Sequence, residues 1–154
     1  TDALPILELA VPGQGSCPMV CFDGINHIIV KGPRRSDAFV QAVLKAAQDH
    51  EKCDAYGIMF LEPSGDGMEK CYRMTPVVYV AETNSLVWES SCGSGSMACA
   101  VYLAGRKEDG TYVYVLRQPD GLIEATVIRR EGKTVQCKMG GTVSISEELE
   151  AEIL

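Results

Sequence analysis

The chain has no apolar run approaching the length of a membrane span, so no helical anchor is expected within it. Its first residues do not show the charged-then-apolar layout of a secretory signal. Basic clusters are scarce: Arg34-Arg35 and Arg129-Arg130 are doublets that a solvated surface explains, and the formal charge is −7. Phosphate contacts need clustered Lys and Arg, so nucleic acid is not an expected partner. Seven cysteines form an odd set without regular spacing. That argues against a disulfide framework and for a reducing, cytoplasmic compartment. No internal repeat or low-complexity segment is present. What remains is a chain of 154 residues, 46% hydrophobic and 23% charged, sized for one domain with a genuine core.

An α/β layout follows from the patterning. Residues 6–11 and 27–31 are rich in branched apolar side chains and read as strands. Ser36-Asp37 opens a helix to about His50, with Phe39, Val40, Val43 and Leu44 on one face. Residues 56–61 form a short buried strand, ended by the turn cluster at 62–67. Residues 69–82 read as one or two strands interrupted at Pro76. Residues 112–116, 123–129 and 134–138 form a meander with turns at Pro119-Asp120-Gly121 and Glu131-Gly132-Lys133.

The segment with most chemical content is Trp88-Glu89-Ser90-Ser91-Cys92-Gly93-Ser94-Gly95-Ser96, which runs into Met97-Ala98-Cys99-Ala100-Val101-Tyr102-Leu103-Ala104. The apolar positions predict a helix starting just after Cys92, almost wholly apolar, as a helix buried all round should be. A thiol there meets the positive end of the helix dipole, which favours thiolate and predicts a lowered pKa. The N–H groups from Gly93 onward lack helical partners and suit a carboxylate. A soft base beside an anion cradle suits proton abstraction next to a carboxylate. Cys99, inside the apolar helix, reads as a structural thiol.

The Ser91–Ala100 stretch resembles the second catalytic loop of the diaminopimelate epimerase superfamily, the cofactor-independent two-cysteine amino-acid racemases and epimerases, which carry Ala-Cys-Gly-(Thr/Ser)-Gly-(Ala/Thr)-x-Ala there. The Glu89-Ser90-Ser91 lead-in is more similar to the histidine racemase branch than to diaminopimelate epimerase itself. Asp23–Val30 resembles the family's Gly-Asn-Pro-His strand without the Pro, residues 56–60 its Asn-containing apolar strand without the Asn, and Met139–Val143 its closing strand. The resemblance implies a bent, mostly antiparallel sheet or barrel around a central helix, one half of a two-domain fold. It implies further that the chain is the C-terminal half, separated from an N-terminal domain bearing the second catalytic cysteine, with a naturally single-domain descendant as the alternative. No other cysteine here is followed by Gly-x-Gly.

The implied reaction is racemisation or epimerisation of a free amino acid, with one thiolate removing the α-proton and an opposing thiol donating one. No lysine stands in a recognisable pyridoxal-phosphate context, and neither cofactor nor metal is expected. Cys92 would be one base. Glu89 would orient the substrate ammonium, or be a solvated charge or cap. Asn26 would meet substrate polar groups, or be a turn residue. His27 would bind substrate or be a satisfied strand histidine. Gly93, Ser94, Gly95 and Ser96 would hold the carboxylate through N–H and hydroxyl donors. Gly57 stands where the family has Asn. Expected partners are the amino acid, the missing domain and a second copy of the chain in a homodimer. Two alternatives stay open: a carboxylate-binding half-domain without catalysis, and a cysteine hydrolase. A Cys-x5-Arg phosphatase loop would need Arg at Ala98, and a papain-like site a second Cys at Gly95.

Overall fold

The computed structural model describes residues 6–141 and 148–151. Its strands are β1 (Ile6–Val11), β2 (Gly15–Phe22), β3 (Ile25–Lys31), β4 (Ala55–Pro63), β5 (Cys71–Val80), β6 (Ser85–Trp88), β7 (Gly110–Gln118), β8 (Gly121–Arg130), β9 (Lys133–Gly141) and β10 (Glu148–Ala151), with helices α1 (Asp37–His50) and α2 (Gly93–Ala104). They form one open sheet in the order β1-β2-β3-β4-β5-β7-β8-β9-β10, with β6 paired to β5 off that path. The pairs β3–β4 and β5–β7 are parallel and the other neighbours antiparallel. Parallel neighbours need a crossover. Helix α1 provides it for β3 and β4, and α2 lies in the connection from β5 and β6 to β7.

The helices sit on opposite faces. Helix α1 is amphipathic: Val40, Val43, Leu44 and Ala47 are buried against Leu9, Ile28, Ile58 and Phe60. The Ser36 hydroxyl caps it, accepting the Phe39 N–H at 3.2 Å. Helix α2 is buried from Gly95 to Val101 and again at Ala104. It touches β2, β3, β4, β7, β8 and β9. Laid flat, β2 to β9 would span about 29 Å, far more than a helix about 10–12 Å wide can reach. The sheet therefore curls around α2. The expected bent sheet with a central helix is present, as an open sheet rather than a closed barrel among the described residues.

Three local expectations change. Pro76 does not interrupt β5, which runs unbroken from Cys71 to Val80. On one edge β5 pairs with β7 only through Arg73 and with β6 only from Val77. The Pro76 carbonyl accepts the Glu89 N–H on that edge, so its missing donor falls in the gap between two partners. Arg129 is not a solvated cation: it is buried, donating to the carbonyls of Lys107 and Gly132 and to the Thr134 hydroxyl. Strands β2, β6 and β10 have no counterpart in the sequence-based reading. Of the closing stretch, residues 139–141 end β9, and Thr142 and Val143 lie outside the described residues.

Candidate active site

Cys92 is the N-cap of α2, in extended backbone geometry, and its sulfur accepts the Gly95 N–H at 3.3 Å. The sulfur also lies 3.8 Å from the Ser94 hydroxyl. Small residues make this seat: a Cβ at Gly95 would overlap the Met59 sulfur and crowd the Cys92 sulfur, and one at Gly93 would crowd Met139.

The Cys92 peptide is pinned on both sides, by Gln118, which patterning did not single out, and by Ser96, which was expected to meet the substrate instead. Its N–H donates to Gln118 Oε1 at 2.7 Å. Its carbonyl accepts from the Ser96 hydroxyl at 2.6 Å, and Gln118 Nε2 donates to that same hydroxyl at 2.9 Å. One buried amide at the end of β7 thus holds the N–H directly and the carbonyl through Ser96. The turn after β7 adds a second strap, the Asp120 N–H donating to the Ser90 carbonyl at 3.0 Å. The one sequence signal for Gln118 is a polar side chain at an inward position of an alternating strand.

The expected lowering of the Cys92 pKa is reversed in this chain. Burial pushes the thiol up, with the Gly95 N–H and the Ser94 hydroxyl pulling the other way. Glu89 adds to the rise through its charge and by accepting from the thiol. The helix end does supply donors to the sulfur, but at 6% exposure desolvation outweighs them. Cys99 is fully buried, and burial places its pKa out of physiological reach.

His27 joins the site from β3. It is 0% exposed, and its Nε2 lies 3.0 Å from the Ser94 hydroxyl, so Ser94 stands between imidazole and thiol. A direct hydrolase-type Cys–His contact is not formed. Burial lowers the His27 pKa to about 4, leaving a neutral ring. Asn26 is not brought to the site. In β3 the side chains of Ile28 and Val30 pack in the α1 core and Ile29 in the α2 core; alternation puts buried Asn26 on the α1 side and His27 on the Cys92 side. Ser96 is fully buried with its hydroxyl engaged and its N–H donated to the Cys92 carbonyl at 3.1 Å. Ser91 is exposed, outside this network. A surface hollow of about 790 Å³, lined by Tyr102, Gly105, Arg106 and Lys107, lies at the opposite end of α2.

Residues 11–151 match the family model described as the histidine racemase CntK N-terminal domain. The chain belongs to this family. It is 29% identical over 105 residues to the histidine racemase of Staphylococcus aureus, and 33% identical over 109 residues to that of Fusobacterium nucleatum. Those matches cover 68% and 69% of the chain but 36% and 38% of the relatives, so the chain spans well under half the length of the curated relatives it matches. Among solved structures, a predicted epimerase from Pseudomonas aeruginosa aligns with TM-score 0.53 at 14% identity, over 90% of this chain and 43% of that one. Methylitaconate-delta-isomerase aligns with TM-score 0.51 at 14% identity, over 97% and 69%. These two likenesses establish the fold.

The racemase and epimerase resemblance read from the Cys92 loop is thereby confirmed at the level of the family. The matching model is described as an N-terminal domain, whereas the sequence resemblance implied a C-terminal half. The resemblance implies that each half carries a Cys-Gly-x-Gly loop, so that loop alone does not tell the two apart.

Proposed function

We propose that this chain is one half of a cofactor-independent amino-acid racemase acting on histidine, with Cys92 as one of two opposed thiol bases. The observation that carries the reading is the seat of Cys92: a sulfur capping a buried helix and accepting the Gly95 N–H, in a chain of the histidine racemase family. A thiol raised by burial is a stronger base once ionised and a competent donor while protonated, and a two-thiol exchange needs both roles. The Gly95 and Ser96 N–H groups are used within the loop. Those of Gly93 and Ser94 are therefore the donors assigned to the substrate carboxylate as it gains enolate-like charge. Glu89, beside the thiol, is assigned to the substrate ammonium. Asn26 and Ser96 act through the fold rather than on the substrate. The complementary half brings the second thiol to the other face of the α-carbon.

The test uses a full-length protein that contains this chain and a complementary half, with histidine first in a panel of basic and diamino acids. Exchange of the α-hydrogen with solvent deuterium and formation of the D-isomer are expected without added pyridoxal phosphate or metal. Cys92→Ser is expected to lower racemisation by roughly 10³-fold or more while amino-acid binding survives. Undiminished racemisation in Cys92→Ser would remove Cys92 from the reaction. Turnover of an ester or amide instead would favour the hydrolase reading.

A further inference from the structure

The tautomer of His27 is legible from what faces its two nitrogens. Nε2 faces the Ser94 hydroxyl at 3.0 Å, a group that either donates or accepts. Nδ1 is buried and has no hydrogen-bond partner among the described residues. Strands β3 and β4 pair His27 with Gly57, and a Cβ built on Gly57 would overlap Nδ1 and Cε1. The glycine therefore aims a Cα hydrogen at Nδ1. A lone pair tolerates that C–H, whereas an N–H would put two hydrogens against each other and leave a buried donor orphaned. The proton consequently belongs on Nε2, where it donates to Ser94 Oγ. Once that oxygen accepts from His27, the serine's own hydrogen is free to turn toward Cys92, 3.8 Å away.

We propose that His27 is a neutral positioning residue whose Nε2–H fixes the Ser94 hydroxyl so that it donates to the Cys92 sulfur. His27 carries no charge in this scheme and touches no substrate. Gly57 is part of the device, since any side chain there would displace the ring. Phe22 edges the ring from β2, with centroids 5.8 Å apart, so β2, β4 and α2 present Phe22, Gly57 and Ser94, none charged. Around the thiol, Glu89 is the charged group and Cys99 the other titratable one; β4, β9 and β7 present Met59, Met139 and Gln118. The inference concerns the cysteine of the proposed reaction and rests on that reading for its catalytic consequence. Its test does not require turnover.

The first measurement is ¹⁵N NMR of the unaltered 154-residue chain. It has only two histidines, and a His50→Gln variant assigns them. His27 is expected to show a protonated Nε2 and an unprotonated Nδ1 at pH 7. The second is the pH midpoint of Cys92 alkylation, mapped by mass spectrometry. Ser94→Ala is expected to raise it by about one pH unit, the effect of losing one hydrogen bond to a thiolate. His27→Gln, which keeps an N–H donor, should stay nearer the unaltered chain than His27→Leu. A protonated Nδ1, a charged ring at pH 7, or an unmoved midpoint in Ser94→Ala would overturn the proposal. The expected tautomer and midpoint shift in a full-length protein that does not racemise histidine would instead count against the proposed reaction alone.

Discussion

The two faces of the sheet are packed by different rules. On the α1 face an amphipathic helix lays Val40, Val43, Leu44 and Ala47 on a mostly apolar floor, with its polar side in water. On the α2 face the helix is wrapped by strands and made mostly of small residues. His27, Cys92, Ser96 and Gln118 are all buried there. The first arrangement minimises exposed apolar area. The second accepts the desolvation of four polar groups and offsets it by joining them through hydrogen bonds. A buried polar network converging on one sulfur, against the lone buried Asn26 of β3 on the other side, distinguishes the α2 face from the scaffold.

The comparison is broken most directly by damaging the scaffold alone. Leu44→Ala removes a buried side chain 3% exposed and is expected to cost about 2–5 kcal/mol in a urea titration. The pH midpoint of Cys92 alkylation below the unfolding range should not move. A midpoint that shifted with Leu44 would mean that the two faces are not independent.

Acid probes the other face. His27 is held at about 4 when folded against an ordinary value of 6.5, so between those values the unfolded chain binds more protons. Stability therefore falls as pH falls from 6.5 to about 4, by about 3 kcal/mol from this residue. Unfolding titrations across that range should show the slope in the unaltered chain and less of it in His27→Gln. Identical slopes would show that His27 is not buried as a neutral ring.

Gln118→Ala sharpens the contrast with a smaller effect. It leaves the Cys92 N–H without its acceptor and Ser96 without one donor, which is expected to cost about 1–3 kcal/mol. Unlike Leu44→Ala, it should also alter Cys92 alkylation, because it frees the peptide that carries the thiol.

Elements with a strong local pattern were legible in the sequence. Both helices, the Ser36 cap, the start of α2 at Cys92 and the β7–β9 meander rest on short-range periodicity and turn chemistry. What escaped depends on neighbours distant in the chain. Pro76 is tolerated because two strands take turns on its edge. Asn26 and His27 part company because β3 is buried on both faces, which erases the alternation that would have sorted them. Gly57 looked like a lost Asn and is instead the space that a histidine ring requires. The sulfur's donors were foreseeable from the helix start, but the desolvation that outweighs them depends on the wrapping of the sheet.

The near-continuous burial of α2 also governs how substitutions along it would read. Helix α1 alternates buried and exposed positions, so tolerated changes would recur with the helical period. From Gly95 to Val101 every position of α2 is enclosed, and added volume is resisted at each of them. A mutational landscape of this domain would show one unbroken band of intolerance at α2. Most of that band would record a lack of room, whereas at Cys92 and Ser94, just before it, sensitivity would trace the contact of sulfur and hydroxyl.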